Sequence, residues 1–246
     1  MSVEVCADLA QATTAALARV LASANDAVRA RGRFLLALSG GSTPAGLYRA
    51  MGRTPAVEQL PWRKLELFFV DERCVGPDDP QSNYGMVKHT LLNHAPLAAD
   101  RVHRIKGELD PEAAAAVYES EIRESLRLPG VGIPRLDLIL LGMGPDGHTA
   151  SLFPHTAALL LRDSLVTANQ IPQLLTNRIT LTAPVLNDAR EVIFLIAGSD
   201  KADALKAVLE GPQNPEQYPA QLIKPRHGRL TWIVDRAAAA RLGNRL

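Results

Sequence analysis

Residues 136–154 read LDLILLGMGPDGHTASLFP, an apolar run that stops at a glycine-rich turn. A short apolar run bounded by turn residues reads as a strand buried on both faces. Three more runs have this form. They are 34–38 ahead of Ser39-Gly40-Gly41-Ser42-Thr43-Pro44, 65–70 ahead of Asp71-Glu72-Arg73, and 192–197 ahead of Gly198-Ser199-Asp200-Lys201. Further strands are expected at 165–168, 178–182 and 230–234. Helical spacing of apolar residues, or a capping pattern, predicts helices over 8–30, 44–51, 84–93, 111–127, 201–210 and 236–242. Strands alternating with helices predict a parallel sheet covered on both faces. No repeat or linker divides the chain, so residues 1–246 are expected to form one domain. The proline-rich stretch 211–225 is expected to be a surface excursion.

The charge balance removes several function classes. The chain carries 27 basic and 26 acidic residues, a net +1, so it has no general attraction for nucleic acid or anionic membrane. Aromatics are only 4%, too few for a base-stacking surface. Cys6 and Cys74 form no CxxC and no disulfide framework, which fits a reducing compartment. The N-terminal segment lacks the pattern of a signal peptide, and no run reaches membrane-spanning length. A cytoplasmic protein is expected, and a monomer, with a homodimer left open.

Chemistry is expected in the turns that follow the strands, because ligands of open α/β sheets bind at the strands' carboxyl ends. In the first, glycines allow close backbone approach, Thr43 suits an N-cap and Pro44 the first helical position. Ser39, Ser42 and Thr43 add hydroxyls, so residues 39–43, with Gly40 and Gly41, form a candidate phosphate cradle. Leu47 stands where a Walker A loop needs Lys. Asp71 and Arg73 close the second strand, and Asn83 follows a long polar loop; alone, these read as an ion pair and a helix cap. Ser199 reads as an N-cap. Lys201 in the first turn opposes the helix dipole, which points to an anion. Arg178 opens its strand and is expected at the opposite sheet edge.

The turn at 142–148 spells Gly142-x-Gly144-x-x-Gly147, a dinucleotide fingerprint. The acid that would hold a ribose is missing, since the next strand leads to Asn169-Gln170. The alternative is catalytic. Asp146 and His148 share a flexible turn and can face one pocket. A helix beginning at Thr149 would disfavour an imidazolium, leaving His148 as a general base. The remaining histidines, His89, His94, His103, His155 and His227, have no such context.

With these blocks in place, the sequence resembles the 6-phosphogluconolactonase family along nearly its whole length. The resemblance rests on LSGGSTP at 38–44, DER at 71–73, SNYG at 82–85, LLGMGPDGHTASLFP at 140–154, RITLT at 178–182 and the turn at 198–201. It implies a Rossmann-like open sheet similar to that of glucosamine-6-phosphate deaminase. It also implies hydrolysis of 6-phospho-D-glucono-1,5-lactone in the pentose phosphate pathway, with neither metal nor organic cofactor. On this reading residues 39–43 and Lys201 hold the phosphate, assisted by Arg178. His148 activates water, Asp146 orients the site, and Arg73 stabilises the oxyanion. Asp71 and Asn83 contact sugar hydroxyls or hold the Arg73 loop. The deaminase pattern carries an acid five residues after its His, and Phe153 stands there instead. A sugar-phosphate sensor would need a DNA-binding segment, and residues 1–33 carry no basic helix-turn-helix.

Overall fold

The computed structural model describes residues 1–243. Its main sheet is built from β1 (Ser2–Cys6), β2 (Phe34–Leu38), β3 (Leu65–Phe69), β5 (Val102–His103), β6 (Leu138–Leu141), β9 (Glu191–Ile196) and β10 (Arg229–Asp235). They lie in the order β1-β10-β9-β6-β2-β3-β5, and every pairing is parallel. A smaller antiparallel sheet joins β4 (Asp71–Arg73), β8 (Thr176–Leu181) and β7 (Val166–Ile171), in that order. The helices are α1 (Leu9–Arg31), α2 (Ser42–Met51), α3 (Ala56–Gln59), α4 (Asn83–Thr90), α5 (Pro111–Leu126), α6 (Ala183–Asp188) and α7 (Ala202–Glu210).

The central strands are apolar throughout because both faces are covered. All residues of β2, β6 and β9 are buried. Helix α1 buries Ala12, Ala16, Val20, Ala24 and Ala27, a stripe of mostly small residues that lets the helix axis approach the sheet closely. The Asp8 carboxylate accepts from Gln11 N at its start, and Gly32 closes it in the left-handed conformation with φ 71°. Trp232 of β10 stacks on Phe194 of β9, their centroids 3.8 Å apart. Truncating a fully buried side chain of this kind typically costs about 3–5 kcal/mol.

Val70 hands the chain from one sheet to the other. Its N–H donates to the carbonyl of Leu38 in the main sheet, and its own carbonyl accepts from Leu181 N in the small one. Just before it, the Tyr118 hydroxyl of α5 both accepts from Phe69 N and donates to Phe69 O. The end of β3, and so the start of β4, is fixed from two sides.

Several expectations are corrected. Ser2–Cys6 and Val102–His103 are strands that their composition did not announce; they pair at the two sheet edges. The strands near 165 and 178 form an antiparallel hairpin rather than members of the parallel sheet. Residues 236–242 make only a short 3₁₀ turn, Ala238–Arg241, instead of a helix. No helix begins at Thr149, which instead forms a bridge with Leu152.

Candidate active site

A cleft of about 330 Å³ opens at the carboxyl ends of β2, β6 and β9, with β4 and β8 forming one wall. Ser39, Gly40, Gly41, Ser42, Thr43, Asp71, Arg73, Asn83, His148, Arg178 and Lys201 all line it. Asp146 alone among the candidates lies outside the lining and backs His148.

The turn after β6 is folded by its own hydrogen bonds. Gly144 N donates to His148 O, Gly147 N to Gly144 O, and Thr149 Oγ1 to Gly142 O. Gly147 takes φ +80°, where a Cβ is disfavoured. One oxygen, Asp146 Oδ1, then receives both His148 N at 3.2 Å and His148 Nδ1 at 2.6 Å. A carboxylate at that distance assigns the ring proton to Nδ1 and leaves the Nε2 lone pair available. Burial pushes the Asp146 carboxyl up, but the His148 hydrogen bond and charge outweigh it and hold the group below its ordinary value. A Cβ on Gly144 would stand 2.1 Å from His148 Nδ1 and 2.5 Å from Asp146 Oδ1, so only glycine admits this pair. The helix dipole expected at Thr149 is absent, and what orients His148 is its contact with the Asp146 carboxylate.

The first loop differs in detail from its expectation. Helix α2 begins at Ser42, and Gly41, at φ +105°, occupies the cap position. Thr43 is therefore inside the first turn rather than the cap, and Pro44 is its third residue. With no side chain capping this end, the first N–H groups of α2 are left for a ligand in the cleft. Ser39 Oγ is buried and has no partner among the described residues. The loop is tied from behind by Tyr48, whose hydroxyl donates to Ser39 O at 2.7 Å.

Alternation along β4 sends Asp71 and Arg73 to the cleft and Glu72 to the opposite face. Glu72 is buried against the start of α4, where it accepts from Asn83 N, Tyr84 N and Ser82 Oγ, and also from Arg73 N. Asp71 is buried too. Its Oδ2 accepts from Ser151 Oγ at 2.7 Å and its Oδ1 from Asn83 Nδ2 at 3.2 Å. Asn83 also presses on Gly40, where a Cβ would lie 1.7 Å from its Oδ1. Sequence reasoning left Glu72, Ser151 and the constraint on Gly144 unassigned. Only the strand parity of Glu72 signalled its role, and nothing marked Ser151.

The placement of Arg178 is a clear correction. It lies in the cleft, in register with Arg73 across β4 and β8. The antiparallel sheet reverses the strand that was expected to run parallel, and so brings its first residues to the active edge. Like charges held opposite each other are unfavourable without a shared anion. Arg178 is held below its ordinary value, first by burial and then by the Arg73 charge, with Asp71 opposing. Lys201 ends the 3₁₀ turn Ser199–Lys201, after Gly198 at φ +101°, so Ser199 does not cap α7. Its Nζ meets Asp200 at 3.0 Å. Among the described residues, no group of three or more His, Cys, Asp or Glu is disposed to hold a metal ion.

Comparison with known proteins identifies the family and the fold. The family model described as glucosamine-6-phosphate isomerases/6-phosphogluconolactonase matches residues 7–232. The chain is 40% identical over 242 residues to a 6-phosphogluconolactonase of Nostoc, covering 98% of each. Among solved structures it superposes on a 6-phosphogluconolactonase from Trypanosoma cruzi with a TM-score of 0.86 and 29% identity, over 98% of this chain and 96% of that one. A monomeric glucosamine-6-phosphate deaminase shares the fold, with a TM-score of 0.80 at 24% identity over 98% of this chain and 100% of the other. The chain belongs to the glucosamine-6-phosphate isomerase/6-phosphogluconolactonase family.

Proposed function

We propose that the protein is a 6-phosphogluconolactonase, which hydrolyses 6-phospho-D-glucono-1,5-lactone to 6-phosphogluconate in the pentose phosphate pathway. The relatives that match nearly the full chain carry this activity in their names. The observation that carries the mechanism is the Asp146–His148 contact, which leaves Nε2 as the one unpaired ring nitrogen beside the cleft.

In this reading the 6-phosphate rests on the Ser39–Thr43 loop, the open start of α2, Lys201 and Arg178. This anchor supplies remote binding energy that positions a small polar ring. Asp71 and Asn83 meet sugar hydroxyls. His148 Nε2 takes a proton from water as its oxygen bonds to the lactone carbonyl carbon. Arg73 stabilises the oxyanion that forms. Collapse breaks the bond to the ring oxygen, which recovers the proton from His148. The products are a free hydroxyl and a carboxylic acid, which releases its remaining proton to solvent and leaves as the carboxylate. Asp146 keeps the ring in the productive tautomer throughout. No helix among the described residues is long and apolar enough to cross a membrane.

The test generates the lactone in situ with glucose-6-phosphate dehydrogenase and follows its decay against the spontaneous rate. Faster decay with the protein is expected, and decay at the background rate would refute the assignment. His148→Ala should lower kcat by about 10²–10⁴-fold, the usual contribution of a general base.

A further inference from the structure

The Asp146 bond fixes where Nδ1 lies but does not fix the plane of the His148 ring. The torsion that turns an imidazole is broad, so one hydrogen bond leaves the ring free to swing about it. Nε2 lies on the far side of the ring and would move furthest. The ring is nonetheless clamped. Phe153 stacks on it with centroids 4.0 Å apart and planes 18° from parallel. The Phe153 side chain is itself 8% exposed, and the segment that carries it is pinned at both ends. Asn169, 3% exposed on β7, donates from Nδ2 to Ser151 O at 2.9 Å and to Thr156 Oγ1 at 3.0 Å. Thr156 Oγ1 in turn donates to Phe153 O at 2.8 Å. Ala150 and His155 bracket the segment at φ +52° and +60°, conformations uncommon for residues with a side chain. A local segment with two such residues holds its shape only when its surroundings impose it.

We propose that Phe153 and Asn169 are positioning residues for the hydrolysis. Phe153 holds the plane of the His148 ring, and Asn169 holds the turn that carries Phe153. The proposal rests on His148 being the base. It gives Phe153 a part in the reaction beyond the absence of an acid at that position. The charged groups sharing the cleft are Asp71 and Arg73 of β4, Arg178 of β8, and Asp200 and Lys201 after β9. Among the described residues only Asp146 bonds the ring, so nothing else substitutes for the stack.

Four variants make the test. Phe153→Leu keeps apolar bulk without a ring face, and Phe153→Tyr restores the face. Asn169→Asp keeps shape but removes both donors. Asn169→Ala removes the side chain. Phe153→Leu should lower kcat by about 10-fold or more with little change in KM, since small misplacements of a reacting group carry such penalties. Phe153→Tyr should recover most of that loss, and both Asn169 variants should lower kcat less than Phe153→Leu does. Nitrogen-15 spectra of the imidazole give a readout independent of turnover. Wild type should show one Nδ1-protonated tautomer, and Phe153→Leu a broadened or mixed signal. Unchanged kcat together with an unchanged tautomer signal in Phe153→Leu would overturn the proposal. An inactive wild type would sink the lactonase reading instead, while the spectra would still decide whether Phe153 orders the ring.

Discussion

One oxygen of Asp146 receives two protons from the same neighbour, one from the backbone N–H of His148 and one from its ring. The arrangement needs residue 144 to be empty of side chain, because a Cβ there would overlap both partners. Gly144→Ala is therefore expected to remove most lactonase activity, by at least about 10²-fold, while thermal melting shows the protein still folded. Wild-type turnover in that variant would show that the contact is dispensable. His148 and Asp146 were legible as letters, since an acid and an imidazole two apart in a glycine-rich turn after an apolar run invite the reading. The glycine spacing around them pointed to a nucleotide. Of these glycines, Gly144 leaves the room that His148 needs, while Gly147 takes a positive φ against Tyr218. Ser151 carried no signal, because its role depends on Asp71, eighty positions away along the chain.

At the scale of elements, Glu72 shows how a helix and a strand are joined by one buried group. It serves as the anion for the start of α4, and its four donors come from Ser82, Asn83, Tyr84 and Arg73. Burial pushes its carboxyl above the ordinary 4.5, and the backbone N–H donors pull in the other direction without cancelling it. Between that ordinary value and the raised one, the folded state holds more protons than the unfolded state. The contribution of Glu72 to stability therefore falls as pH rises through this window. Glu72→Gln leaves at least one buried donor without an acceptor, at about 1–3 kcal/mol. Melting curves across the range should show the gap between wild type and Glu72→Gln shifting in favour of wild type at lower pH. A gap that does not change with pH would refute the linkage. The apolar strands were readable because burial on both faces leaves a continuous signature. The small sheet was not, since β7 and β8 alternate less clearly and their direction depends on a hairpin at 172–175. That hairpin is also why Arg178 was placed at the wrong edge.

At the scale of the molecule, the parallel order β1-β10-β9-β6-β2-β3-β5 draws one cleft from residues spread between Ser39 and Lys201. Every pairing in the main sheet joins strands separated by a crossover, and such non-local contacts slow folding. Trp232, stacked on Phe194, reports when β10 docks on β9. In a Trp62→Phe background, refolding is expected to return activity together with, or after, the Trp232 signal. Activity that precedes that signal would mean the cleft forms without β10. The overall class was legible from strand and helix alternation, while the edge strand β1 buries only Cys6 and is no apolar run, and β5 has only two residues.

The pairing of β1 with β10 has a consequence for a chain emerging from the ribosome. Ser2–Cys6 is made before every other strand of the sheet, yet its register partners are Thr231 to Asp235. Until those residues clear the exit tunnel, β9 is an open edge and β1 has no neighbour. Open edges of this kind invite pairing with other chains. Chaperone demand during synthesis should therefore persist until Asp235 has emerged, although every residue of the cleft has been made by Lys201.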